Sequence, residues 1–145
     1  MAVGLASFLV TLPHSFEDFV EGVPQQFGVG VLTGGLLLAG AYAVHASGIV
    51  LASHERPAGY AINLLAGMGW FLGALFDHLP DVLSFEPYRA GFPSKMLEVL
   101  VMVFGLALVF LSGRLLLARR QDDGSLTVFV TSEARASSRS GLGAR

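Results

Sequence analysis

Three long apolar runs constrain what this chain can fold into. Residues 28–52 contain no Asp, Glu, Lys or Arg, residues 58–76 contain one strongly polar side chain, and residues 99–113 are uncharged. A helix needs about 20 apolar residues to cross the hydrocarbon layer of a bilayer. The first two runs therefore cross on length alone. The third crosses with the apolar residues beyond Arg114, whose charged head can extend toward the interface.

The overall composition agrees with a membrane protein. The chain is 53% hydrophobic and 14% charged, whereas soluble domains carry about 25% charged residues. Its net charge of −2 provides no basic surface for nucleic acid, and it has no cysteine for disulfides or thiolate metal sites. Alternating ten-residue segments, typical of β-barrels, are missing. The predicted fold is an all-α integral membrane protein with the lipid bilayer as its surroundings.

The two ends of the chain are less regular. Residues 1–13 are apolar but too short to cross, and they are followed by an acidic cluster. Residues 1–23 therefore form either an interfacial helix or a fourth, partly polar helix shielded inside the bundle. Residues 119–145 become rich in Ser, Arg, Gly and Ala, a composition that cannot bury enough apolar area to order itself. We predict a helical bundle over residues 1–118 and a disordered cytoplasmic tail over 119–145.

The basic residues predict the orientation. Four of them lie close to the membrane on the side that carries the C-terminus: Arg56, Arg114, Arg119 and Arg120. Two lie in the loop between the second and third runs, Arg89 and Lys95. The positive-inside rule then predicts a multi-pass protein of the cell membrane with a cytoplasmic C-terminus, and it places residues 1–27 and 77–97 outside.

Two polar clusters fall on that outer side. The first contains an imidazole and carboxylates at helical spacing, and the second lies where the second run ends. Imidazole and carboxylate together suit a divalent metal such as zinc, manganese or iron, or a proton relay; a solvated polar cap is the third interpretation. We expect the clusters to lie within about 6 Å of each other, close enough to interact electrically. The candidate metal ligands are His14, Glu17, Asp18, Asp77, His78 and Asp81.

Two further features concern helix packing. His45 lies near the cytoplasmic end of the first crossing, so we expect it to be buried and bonded to a neighbouring helix. Gly30 and Gly34, like Gly69 and Gly73, have the spacing that lets membrane helices approach closely. This spacing is compatible with packing inside the chain, with a homo-oligomer or with a larger membrane complex.

Residues 14–18, His-Ser-Phe-Glu-Asp, resemble the signature of small polytopic membrane proteins with an N-terminal H-x-x-E-E motif. Asp18 stands where that pattern has its second glutamate. The resemblance covers about five residues together with general size and hydropathy, and the family lends no activity.

Three functions fit the sequence. The first is a non-catalytic accessory or interaction subunit of the membrane. The second is a membrane-embedded, metal-dependent hydrolase that uses the outer His, Asp and Glu side chains, and the third is a proton or cation carrier through the same groups. Motifs for nucleotide binding, haem attachment or a serine nucleophile are missing, so the sequence identifies no catalytic residue.

Overall fold

The computed structural model describes the backbone of residues 1–84 and 91–140, and the side chains of these residues except those of Asp81, Arg120 and residues 122–140. Within this part of the chain, four long helices run alternately up and down, and one single-turn helix links the first two. They are α1 (Ala2–Val20), α2 (Val23–Gln26), α3 (Val31–Ser53), α4 (Pro57–Leu83) and α5 (Phe92–Ser140).

Three of these helices are long and apolar enough to cross a membrane. The candidate spans are Val31–Ser53, Pro57–Pro80 and Phe92–Arg119. Large apolar side chains on their outer faces are exposed in the isolated chain, including Leu36, Leu65 and Phe110. Lipid acyl chains would cover such side chains in a bilayer. The predicted class of an all-α membrane protein with three crossings is confirmed.

The two ends of the bundle are named by the basic side chains that they contain. We call the end where α1 and α4 finish and α5 begins the histidine end, because it contains His14 and His78. The opposite end, which contains the α3–α4 connection and Arg114, is called the arginine end. Met1 lines a cavity with Arg114, so the chain begins at the arginine end. The prediction that residues 1–27 all lie on one side of the membrane is therefore wrong, because α1 runs from one end of the bundle to the other, as the alternative of a fourth helix predicted.

Helix α1 is the fourth member of the bundle. Its 19 residues extend about 28 Å, comparable with the hydrocarbon thickness. It contacts α5 and α3, with Gly4 against Ile49 and Leu108. Its large apolar side chains face outward, as in Leu9 and Phe16, whereas its polar side chains face the other helices. The buried residues of α1 are Gly4, Ser7, Thr11, His14 and Ser15.

Local sequence explains where the helices begin and end. Gly22 adopts φ 76°, a left-handed conformation that glycine reaches without steric cost, and it separates α1 from α2. Pro57 is the first residue of α4, where its missing N–H has no intrahelical partner to lose. Pro80 lies inside α4, so it frees only the Phe76 carbonyl and the helix continues to Leu83. The second polar cluster is therefore held on a helix.

Small residues bring the long helices together, and of the predicted pairs only Gly34 takes part, where a Cβ would lie 3.3 Å from the Phe19 ring of α1. A Cβ atom on Gly67 would lie 2.8 Å from the Gly105 carbonyl oxygen, and one on Gly59 would meet the backbone of Ala52. A Cβ on Gly69 or Gly73 would meet nothing within 4 Å. The close contacts of α4 therefore depend on glycines outside the Gly69-x-x-x-Gly73 motif.

Helix α5 extends well beyond its membrane span. Its backbone is helical to Ser140, whereas the composition predicts disorder from residue 119 onward. Propagating an existing helix costs much less than nucleating a new one, which is why α5 can continue into a polar segment. Residues 141–145, the end of the predicted tail, lie outside the described residues.

Candidate metal centre

The histidine end contains a cluster of ionisable side chains from three helices. Helix α1 contributes His14 and Asp18, α4 contributes His78, and α5 contributes Glu98. His14 and Asp18 are four residues apart, so they occupy one face of α1. That face is turned inward because its other side chains, Ser7 and Thr11, are small and polar. The cluster is thus built by the burial of the polar face of α1.

The side chains of this cluster are in close contact. His14 Nε2 lies 3.4 Å from Asp18 Oδ2, and His78 Nε2 lies 3.7 Å from Asp18 Oδ1. The other ring nitrogen of His78, Nδ1, lies 3.1 Å from Glu98 Oε1. The two imidazole rings are edge to face, with centroids 4.9 Å apart. The contact predicted between the two polar clusters is therefore confirmed.

Burial makes this cluster unusual. The side chains of His78 and Glu98 are each 2% exposed, and that of His14 is 8% exposed. Asp18 and Asp77 keep partial access, at 21% and 31%. Burying an uncompensated carboxylate near hydrocarbon is costly. With its three carboxylates ionised, the set is negative even when both imidazoles are protonated, and a cation would balance it.

The donor set has the dimensions of a divalent metal site. One ligand atom from each of His14, His78 and Glu98 lies within 4.8 Å of the other two. Three atoms so arranged have a common point no more than about 2.8 Å from each, whereas zinc bonds to N and O are about 2.0–2.2 Å long. Side-chain movements below about 1 Å would complete such a site. Two imidazoles and a carboxylate also form the ligand set of catalytic zinc centres.

Two cavities reach this cluster from different sides. A cavity of about 340 Å³ is lined by His14, Asp18 and His78 together with apolar residues such as Trp70. A smaller one of about 230 Å³ is lined by Glu17, Asp18 and Glu98. Asp18 lines both, so the cluster forms the wall between them. A metal here would have room for a water molecule or a polar group of a substrate.

The other predicted ligands lie at the edge of the cluster. Asp77 Oδ2 is 3.2 Å from His78 Nε2, which places it beside the site. Glu17 instead accepts a hydrogen bond of 2.7 Å from the Ser94 hydroxyl of α5, and it is not a member of the three-residue donor set. The side chain of Asp81 lies outside the described residues.

Glu98 is the functional residue that sequence reasoning missed. The third apolar run was counted from Val99, so Glu98 was left outside the predicted crossing and was not considered as a site residue. In the structure α5 begins at Phe92, and Ser94 and Glu98 are one turn apart on its buried face. Their i, i+4 spacing at the start of an apolar helix was the available signal.

His45 lies in the bundle, away from this cluster. It is fully buried, and its Nδ1 accepts a hydrogen bond of 3.1 Å from Trp70 Nε1 of α4. The predicted bond between His45 and a neighbouring helix is confirmed. Comparison of the chain with family models, curated proteins and solved structures finds no match, so the resemblance of residues 14–18 to the H-x-x-E-E signature stays a prediction.

Proposed function

We propose that this protein is a small polytopic membrane protein that binds one divalent transition metal ion at the histidine end. His14, His78 and Glu98 are the ligands, and Asp18 offers a fourth oxygen. The observation that carries the proposal is the buried three-residue donor set, whose ligand atoms lie within 4.8 Å of one another. Zinc fits best, because its sites combine imidazole and carboxylate in a tetrahedral arrangement.

Glu98 either binds the metal ion or orients the ring of His78. If His78 binds the metal through Nδ1, Glu98 lies close enough to bind the same ion. If His78 binds through Nε2, Glu98 contacts the opposite nitrogen and fixes the orientation of the ring, as carboxylates commonly do behind metal-bound histidines. Replacing Glu98 weakens binding in both cases, and the loss is larger in the first.

Metal content of the purified protein tests the proposal. After loading with zinc in detergent and removal of excess metal, elemental analysis should find one zinc per chain. His78→Ala should abolish this binding, and Glu98→Gln should weaken it by about 10–100-fold if Glu98 acts behind His78. The matched control is His54→Ala, which removes an exposed histidine at the arginine end. Equal zinc content in wild type and His78→Ala would reject the site.

Acid should release the metal. Zinc binds neutral imidazole and ionised carboxylate, so protons compete with it for His14, His78 and Glu98. We therefore expect zinc affinity to fall as the pH is lowered through the histidine range, in wild type and in His54→Ala alike. Titration calorimetry at several pH values measures this. Affinity independent of pH would indicate that the bound zinc lies elsewhere.

A catalytic role is the second candidate for the same site. Its support is the cavity of about 340 Å³ beside the two histidines, a volume within the range of small-molecule sites. A metal-bound water there could attack an ester or amide that enters from the membrane. Hydrolysis of a generic ester by the zinc-loaded protein, lost in His78→Ala, would support this role, whereas zinc binding without hydrolysis favours a structural or regulatory metal.

For the orientation, we propose that the histidine end faces outward in the cell membrane and that both termini are cytoplasmic. The support is the concentration of arginines at the other end. Because the chain has no cysteine, single cysteines can report the sides of the membrane. Gln26→Cys at the histidine end should react with an impermeant thiol reagent on intact cells, and Ser53→Cys should react only after lysis. The reverse result would invert the topology.

A further inference from the structure

Polar side chains are buried at several levels of the bundle interior. Below the candidate metal centre, toward the arginine end, the buried side chains include hydroxyls, an amide and an imidazole. Irregular or polar groups at membrane depth are tolerated where they are buried in protein or line water. We call this set the polar seam; its members are Ser7, Thr11, Ser15, Tyr42, His45, Asn63 and Ser112, each at most 8% exposed.

The upper part of the polar seam is a series of hydroxyl contacts. Ser15 Oγ lies 3.0 Å from the Tyr42 hydroxyl, joining α1 to α3 just below the metal centre. The Tyr42 hydroxyl also contacts the side chain of Thr11, one turn further along α1. Thr11 in turn donates to the Ser7 carbonyl oxygen at 2.9 Å. Hydroxyl groups thus follow α1 from the histidine end toward the middle.

His45 lies at the middle of the polar seam, and its tautomer follows from its partner. The indole N–H of Trp70 can only donate, so His45 Nδ1 must accept and the proton of the neutral ring is on Nε2. His45 Nε2 is buried and has no hydrogen-bond partner within the described residues. Nearby, Asn63 donates to the Gly48 carbonyl, one turn below His45, at 3.4 Å.

Two more buried atoms in this layer have no partner among the described residues, Ser7 Oγ and Asn63 Oδ1. Asn63 bonds to the turn below His45, and the ring of Phe8, the residue after Ser7, has its centroid 5.7 Å from that of His45. Three such atoms from three helices would cost several kcal/mol if left dry in a membrane. Internal water, which typically makes about three hydrogen bonds to such atoms, would satisfy them.

Cavities approach this layer from both ends of the bundle. The cavity at the histidine end extends from His14 and Asp18 down to Trp70. A cavity of about 500 Å³ at the arginine end is lined by Asn63, Ser112 and Arg114. Trp70 and Asn63 are seven residues apart on α4, about 10 Å along the helix. Trp70 lines the first cavity and Asn63 the second, whereas His45, which accepts from Trp70 and lies one turn from the Asn63 partner Gly48, lines neither.

We propose that the protein conducts protons across the membrane through the polar seam, with His45 as the relay. A proton from water in the histidine-end cavity adds to Nδ1, and because both nitrogens are then donors, the Trp70 N–H must turn away. The imidazolium releases its Nε2 proton to water on the Asn63 side, and rotation or tautomerisation of the ring restores the starting state. Trp70 therefore acts as the gate. This route does not depend on the proposed metal site.

The groups that face His45 suit this role. On α3 itself the nearest titratable side chain is Tyr42, whose ring also contacts Trp70 of α4 and Phe8 of α1. The charged side chains of the packed helices lie toward the ends: Asp18 on α1, His78 on α4, and Glu98 and Arg114 on α5. Among the described residues, no charged side chain adjacent to His45 therefore holds it in one protonation state.

Proton flux into liposomes tests the proposal. With the purified protein in vesicles, a potassium diffusion potential should drive acidification of an enclosed pH dye faster than in empty vesicles. His45→Phe should reduce this flux by roughly a hundredfold, the scale of losing one positioned proton-transfer group. Trp70→Phe, which removes the N–H donor and keeps a ring, should increase it, and His54→Ala should leave it unchanged. Wild-type flux equal to that of empty vesicles, or undiminished in His45→Phe, would overturn the proposal.

A second measurement keeps the proposal testable if His45→Phe folds poorly. Trp70 is the single tryptophan of the chain, so its fluorescence reports on His45 directly. Protonation of a contacting imidazole quenches indole emission, and acidification should therefore dim wild type and His54→Ala equally. Asn63→Leu should slow the flux while the quenching persists. If the emission does not change with pH, His45 takes up no proton and the relay proposal is rejected. If the protein conducts no protons but His45→Phe still binds zinc, the proton-conduction proposal alone is rejected and the metal site is not.

Discussion

Two contacts between a basic and an acidic side chain, at opposite ends of the molecule, have nearly the same length. At the histidine end, His78 Nδ1 lies 3.1 Å from Glu98 Oε1, and at the arginine end Arg119 Nη2 lies 3.2 Å from Glu55 Oε2. Both pairs join two elements. Their surroundings differ completely: the first pair is 2% exposed on both sides, whereas Arg119 is 37% and Glu55 79% exposed.

The comparison shows that burial, not distance, decides what an ion pair does. Water screens the Arg119–Glu55 pair and solvates either partner alone, so this pair adds little to stability. His78 and Glu98 have lost that solvation, and each depends on the other and on the rest of the cluster. A protein gains little stability from burying such groups, so their retention inside a membrane bundle points to a function.

The largest expected effect comes from removing one partner of each pair. Glu98→Ala should destabilise the bundle by about 3–5 kcal/mol, because it breaks a buried pair and leaves His78 without its carboxylate. Glu55→Ala should change stability by less than about 1 kcal/mol, as exposed pairs do. Denaturation in mixed micelles, followed by circular dichroism, measures both. Similar losses in the two variants would mean that Glu98 is solvated.

A smaller effect should separate two serines. The Ser94 hydroxyl is buried and donates to Glu17 Oε2 at 2.7 Å, joining α5 to α1. The Ser53 hydroxyl is exposed and donates to the Val50 carbonyl of its own helix. Ser94→Ala should therefore cost about 1.5–3 kcal/mol, as for a hydrogen bond to a charged group, and Ser53→Ala less than about 0.5 kcal/mol. The same denaturation experiment applies, and equal costs would place Glu17 in solvent.

The smallest effect should come from salt. Raising the ionic strength from about 0.01 M to 1 M shortens the screening length from roughly 30 Å to 3 Å, which weakens exposed pairs and spares buried ones. The difference in stability between wild type and Glu55→Ala should shrink toward zero, while that between wild type and Glu98→Ala persists. A salt-sensitive Glu98 contribution would contradict the burial of the cluster.

Much of the fold is predictable because crossing a bilayer requires a helix of sufficient apolar length. Uninterrupted apolar length predicts α3, α4 and α5, and Pro57 marks the start of α4. Helix α1 is harder, because it buries a polar face and its mean hydropathy is lowered by His14, Glu17 and Asp18. Only contact with α5 shows that these groups are shielded. Mean hydropathy averages over all side chains of a helix, whereas contact with lipid depends only on the side chains that face outward.

Most side chains of the candidate metal centre could be predicted from the sequence, but Glu98 could not. Spacing and orientation brought His14, Asp18 and His78 to one end of the bundle. Glu98 escaped because a boundary drawn at Val99 separated it from the helix that carries it. The polar seam escaped as well: Ser7, Thr11 and Asn63 are ordinary residues in the sequence, and only their common burial makes them notable. An accessory role through exposed glycines stays a prediction.

The inward polar face of α1 also has a consequence in time. Glu17 and its partner Ser94 are 77 residues apart, so α1 leaves the ribosome long before the helix that covers it exists. At about 5–20 residues per second, synthesis of that interval takes roughly 4–15 seconds. During this delay the hydroxyls and carboxylates of α1 need a temporary host, either the aqueous interior of the insertion machinery or the membrane surface. Helix α1 is therefore synthesised first, but it completes its buried contacts only after α5 has been made.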